Sequence, residues 1–72
     1  MVSKQSQFDA LVRATSADLY RFAYWLCGNE ALAHDLTQET YLRAWRSLDN
    51  LRETAAAKAW LVTILRREHA RL

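Results

Sequence analysis

The chain contains no proline and a single glycine, Gly28, in 72 residues. Proline removes a backbone donor and glycine loosens the backbone, so a chain lacking both except at one place has few points at which a helix must stop. The apolar residues repeat at steps of three and four, the period of an amphipathic helix, and no stretch alternates as a strand would. The expected fold is all-α, a small three- to four-helix bundle joined by very short turns, in one domain spanning residues 1–72. An apolar share of 51 % is enough to fold a chain of this length and lies far from disordered compositions.

In the first segment Phe8, Leu11, Val12, Thr15, Leu19, Phe22, Ala23 and Leu26 fall on one stripe. Residues 1–5 are expected to fray, and Ser6 is the expected N-cap. Thr15-Ser16-Ala17-Asp18 has the form of a capping signal, which predicts a break or kink near Thr15. Tyr20, Tyr24 and Trp25 fall off the stripe and are expected to seal the flank of the bundle. Gly28 suits the left-handed residue that ends a helix, and Asn29 suits the cap of the next, so the first two helices should run antiparallel.

The second helix, expected over residues 30–48, carries the most information. Ala33, Leu36, Thr37, Thr40, Tyr41, Ala44 and Leu48 share a core-facing side. Asp35, Gln38, Glu39, Leu42, Trp45, Arg46 and Asp49 lie on the other. Leucine and tryptophan among acids and an amide suit a docking surface for a basic helix, while Trp45 curled against the core edge is the plainer alternative. Asp49-Asn50 is a turn pair, and Thr54 is the expected cap of a last helix that begins at Ala55. There Leu61, Ile64, Leu65 and Glu68 follow the core period with Trp60 beside them. Thr63, Arg66, Arg67 and Arg71 form another stripe, suited to phosphates or simply solvated beside Glu68.

Charge is unevenly spread. Residues 29–50 carry Arg43 and Arg46 against Glu30, Asp35, Glu39 and Asp49; residues 51–72 carry Arg52, Lys58, Arg66, Arg67 and Arg71 against Glu53 and Glu68. An acidic helix followed by a basic one fits two partners of opposite charge better than one. Cys27, the only cysteine, cannot form an internal disulfide and is expected to be buried and reduced. His34 and His69 are too few for a metal site, and there is no nucleophile–base set or glycine loop, so neither an enzyme nor a cofactor is expected. No apolar run approaches the roughly 20 residues of a membrane span, and Met1–Gln7 is polar rather than a signal peptide; a cytoplasmic protein with no membrane partner is expected.

Asp35-Leu36 followed by Gln38-Glu39 and Tyr41-Leu42-Arg43-Ala44-Trp45 resembles the polymerase-binding helix, region 2.2, of bacterial sigma factors of the extracytoplasmic-function (ECF) group. Its neighbours resemble that group too: Leu19-Tyr20-Arg21-Phe22-Ala23 and Leu26-Cys27-Gly28-Asn29 upstream, Ala59-Trp60-Leu61-Val62-Thr63-Ile64 downstream. The likeness runs from about Phe8 to Leu72. It implies a sigma region 2 domain that binds core RNA polymerase and recognises and melts the promoter −10 element during transcription initiation. Asp35, Gln38, Glu39, Leu42, Trp45 and Arg46 would meet the coiled coil of the polymerase β′ subunit. Asn50, Arg52, Glu53 and Thr54 would surround a flipped base of the −10 non-template strand. Lys58, Thr63, Arg66, Arg67 and Arg71 would line its phosphate path. An anti-sigma factor is a further implied partner. The domain that reads the −35 element is absent, so a fragment or excised domain is expected.

The sequence also departs from the group. Many relatives carry Arg-Gly-Asp-Ser in the connector, whereas Arg52 is followed here by Glu53-Thr54-Ala55. Many have asparagine where this chain has Arg67. Trp60 is the only aromatic of the last helix and belongs by position with the core. Two alternatives to the sigma reading are a helical interaction module held by a regulator and a helix-turn-helix-like DNA-binding domain.

Overall fold

The computed structural model describes residues 3–51 and 54–72, excepting the side chain of Thr54. Three helices form the body: α1, Lys4–Cys27; α2, Glu30–Ser47; and α3, Ala57–Ala70. Each packs on the other two, as an all-α bundle requires. A short 3₁₀ turn, Leu48–Asn50, follows α2, and a second, Thr54–Ala56, leads into α3. No strand occurs among the described residues.

The start of α1 lies earlier than expected. Ser3, not Ser6, is the N-cap, its Oγ accepting from the Ser6 backbone N–H at 3.1 Å. Ser6 instead occupies the third helical position, where its hydroxyl accepts from Ser3 Oγ at 3.0 Å. Nor is there a break at Thr15, because α1 is continuous through it. Thr15 returns its hydroxyl proton to the Leu11 carbonyl at 2.7 Å, the i−4 bond by which threonine is tolerated inside a helix. With that proton committed, the 2.7 Å contact to Tyr41 is a bond that Tyr41 donates. What resembled a cap in sequence is thus a buried cross-link between α1 and α2.

The α1–α2 turn follows its sequence signals. Gly28 adopts φ +64°, and its N–H returns to the Tyr24 carbonyl at 2.7 Å. Asn29 Oδ1 accepts from the Leu32 N–H at 3.0 Å. Two residues therefore end one helix and start the next, leaving α1 and α2 antiparallel.

The core is assembled from small residues as much as large ones. Ala23, Ala33 and Ala44 are fully buried, with Leu19, Leu36, Tyr41, Leu61 and Leu65 around them. Every residue of the α2 stripe, from Ala33 to Leu48, is buried. Thr37 and Thr40 join it because each satisfies its hydroxyl within the helix, on the carbonyls of Ala33 and Leu36. Small side chains let helix axes approach closely, and each threonine then behaves as a compact apolar group. Trp60 and Cys27 lie partly buried against this cluster, Cys27 as a free thiol.

The last helix differs from expectation at its start. Ala55 and Ala56 belong to the second 3₁₀ turn, and α3 begins at Ala57 with no side-chain cap bond. First turns often wind more tightly than the helix they open. Arg52 and Glu53 lie outside the described residues, as does the side chain of Thr54, and the capping role expected of Thr54 with it.

Candidate functional site

The outer side of α2 is built by exclusion. Once the stripe from Ala33 to Leu48 is turned inward, Asp35, Gln38, Leu42 and Arg46 are left exposed, with Glu39 and Trp45 half-buried beside them. Leu42 keeps 45 % of its surface in solvent. Covering the exposed part of Leu42 with a partner would be favourable by about 1 kcal/mol.

Trp45 is not a free anchor. Its ring meets the edge of Phe8 at 5.2 Å and 77°, and Phe8 in turn meets Tyr41 at 6.1 Å and 87°. The Lys4 ammonium stands 4.5 Å from the indole centroid. The first turns of α1 therefore cover part of Trp45, as in the plainer of the two sequence readings. Trp45 is left half-buried, three residues along α2 from the exposed Leu42.

The basic helix divides differently from the expected single stripe. Arg66, Arg67 and Arg71 are all exposed. Arg66, however, lays its guanidinium 5.5 Å from the centre of the Phe22 ring, toward α1. Arg67 and Arg71 line the opposite flank, a groove shared with Arg43, Ser47 and Glu68. The geometry of the helix accounts for this, because residues 66 and 71 are separated by about 140° around its axis. Thr63 lies outermost and returns its hydroxyl to the Ala59 carbonyl at 3.0 Å.

Two ion pairs tie α3 to its neighbours. Lys58 reaches Asp18 of α1 at 2.9 Å, and this bond, with the ammonium's charge, holds the Asp18 carboxyl below the usual carboxylate range. Lys58 is thus committed to α1. Arg43 Nε lies 2.7 Å from Glu68 Oε1 and 3.3 Å from Glu39 Oε1. Its N–H is aligned with neither oxygen as a hydrogen bond, so the contact is ionic. Glu68 is buried, and Arg43 is the cation that permits it. Sequence period placed Glu68 in the core without its partner, because a pairing between α2 and α3 has no local signature.

Of the expected base-pocket residues, Asn50 is exposed at the end of the first 3₁₀ turn. Arg52 and Glu53 fall outside the described residues, as does the side chain of Thr54. Tyr24 and Trp25 do not seal the bundle's flank. They are 48 % and 74 % exposed, whereas Tyr20 packs partly against the core. Among the described residues no three His, Cys, Asp or Glu side chains could hold a metal, and no helix is long and apolar enough to cross a membrane.

The chain is similar to the ECF RNA polymerase sigma factor SigE of Mycolicibacterium smegmatis, 44 % identical over 54 residues, covering 75 % of this chain and 21 % of that protein. It is 45 % identical over 62 residues to the ECF RNA polymerase sigma factor SigL of Mycobacterium tuberculosis, covering 79 % and 35 %. With the ECF RNA polymerase sigma factor BldN of Streptomyces coelicolor it shares 42 % over 60 residues, covering 82 % and 23 %. The chain thus spans about a third or less of these relatives. No solved structure matches it significantly. The sequence model of sigma-70 region 2 matches residues 11–71, from within the first half of α1 to just past the end of α3, and the chain belongs to that family.

Proposed function

We propose that this chain tethers core RNA polymerase to promoter DNA and holds the −10 element, as part of a sigma factor of the ECF group. The observation that supports this most is the outer side of α2. Asp35, Gln38 and Leu42 stand in solvent while the residues between them build the core. The polymerase partner is the β′ coiled coil, with the acids steering encounter and Leu42 and the accessible part of Trp45 anchoring it. Arg66, Arg67 and Arg71 supply phosphate contacts to the non-template strand. An anti-sigma factor would act by covering the same α2 surface. No observation favours a helix-turn-helix reading, which would leave the outer side of α2 without a partner.

The test pairs two variants. Asp35→Ala with Gln38→Ala should weaken capture of core polymerase about tenfold or more, roughly 1.4 kcal/mol, with helicity unchanged. Arg66→Ala with Arg67→Ala should weaken binding to single-stranded −10 oligonucleotides of any sequence and flatten the salt slope by up to about two units. Unchanged polymerase capture in the first variant would refute the tethering surface.

A further inference from the structure

Trp25 is the most exposed aromatic side chain among the described residues, with 74 % of its surface in solvent. It lies in the last turn of α1, away from the stripe of Leu19, Ala23 and Leu26 that faces the core. It is nonetheless ordered by its neighbours. Its ring leans on Phe22 at 6.0 Å and 33°, and Phe22 carries the Arg66 guanidinium 5.5 Å from its centre. Arg21, one helical turn before Trp25, keeps 79 % of its side chain exposed while its guanidinium lies 3.5 Å from Asp18. Asp18 is shared between Arg21 and Lys58, so on this side one carboxylate stands against the three cations Arg21, Lys58 and Arg66. The surroundings of the indole are therefore cationic.

We propose that Trp25, seated on Phe22 and flanked by Arg21 and Arg66, is a stacking platform for an unpaired base of a nucleic-acid strand. It would extend the strand path from α3 onto α1. An exposed aromatic face combined with cations along a groove is how single strands are held without sequence preference. Phe22 limits the orientations of the indole, so stacking a base costs little additional side-chain order.

This inference rests on the strand-binding reading of α3, and its test separates the two. The probe is a fluorescent oligodeoxythymidylate of about 12 nucleotides, within the range one small domain covers. It is used intact and with one abasic nucleotide placed at each position in turn. Dissociation constants are measured by anisotropy across a salt series for the wild type, Trp25→Ala, Trp25→Phe, and Arg66→Ala with Arg67→Ala. Trp25→Ala should weaken binding about tenfold at unchanged salt slope, and Trp25→Phe should recover most of the loss. At one abasic position the wild type and Trp25→Ala should bind alike, a signature that a purely structural role would not produce. If Trp25→Ala binds the intact strand as the wild type does while the double arginine variant is weakened, the platform is refuted and the strand path stands. If neither variant differs from the wild type, or no strand binds, both ideas fall. A loss that is equal at every abasic position, or one seen only in polymerase capture, also overturns the platform.

Discussion

Phe8 can be used to measure how far Trp45 belongs to the fold and how far to the surface. Its ring makes edge contacts with both Tyr41 and Trp45. Each such pair contributes about 0.5–1.5 kcal/mol beyond the area it buries. Truncating a fully buried phenylalanine costs about 3–5 kcal/mol, and Phe8 is half-buried, so Phe8→Ala should cost about 2 kcal/mol. A domain of 72 residues has roughly 4–11 kcal/mol of total stability. The variant therefore folds, with Tm lowered by roughly 8–16 °C. Thermal unfolding followed by circular dichroism, with Trp45→Phe and the double variant, gives a coupling energy expected at about 0.5–1.5 kcal/mol. Polymerase capture at a temperature where all variants are folded supplies the second half of the test. Phe8→Ala leaves the Trp45 indole present and more accessible, so capture should hold or improve. Trp45→Ala should lose about 2 kcal/mol of binding as well as stability. Coupling within about 0.3 kcal/mol of zero would refute the packing, and equal loss of capture in Phe8→Ala and Trp45→Ala would refute the anchoring role.

Two further outcomes follow from the turn and from the α1–α3 ion pair. Gly28→Ala places a side chain at φ +64° with open space around it, so the cost is conformational rather than steric, about 1–2 kcal/mol; an unchanged urea midpoint would contradict this. The folded-state pKa of Asp18 is depressed, so its pair with Lys58 adds stability above the unfolded carboxylate pKa and loses it as pH falls through the folded value. Asp18→Asn should therefore be less stable than the wild type at neutral pH, with the gap closing in acid and in high salt; a gap that persists in acid would refute the pairing.

Periodicity located the core because burial is a property of one helix face. All seven residues of the α2 stripe are buried, and on α3 so are Leu61, Leu65 and Glu68. The α1–α2 turn was legible for the same local reason, since Gly28 and Asn29 act on their own backbone. The misreadings involve either a choice between neighbouring caps that the residue types leave open or a local option settled at a distance. Thr15 resembles a cap until Tyr41 is placed against it. Ser3 and Ser6 are both serines near a helix start, and only the hydrogen bond distinguishes them. Trp25 was expected to cover the flank, but the neighbouring helices leave it outside. The two faces of the site were legible in outline. Their internal arrangement was not, because Phe8 over Trp45, Arg66 over Phe22 and Arg43 with Glu68 are contacts between helices distant in sequence.

The domain measures only 18–20 Å across its two short axes. Its alanine-lined core permits this slimness, and it has an electrostatic consequence. In physiological salt the Debye length is about 8 Å, so through solvent the field of Asp35 and Glu39 is largely extinguished before it reaches Arg66 on the α1 flank, whereas Arg71 is joined to Glu39 through Glu68 and Arg43. In dilute buffer near 0.01 M the length grows to about 30 Å, longer than the body is wide. The carboxylates then repel a polyanion even where it arrives at Arg66, and a bound polyanion strengthens the hold of the carboxylates on their own cationic partner. The crosstalk between the two surfaces is thus set by ionic strength.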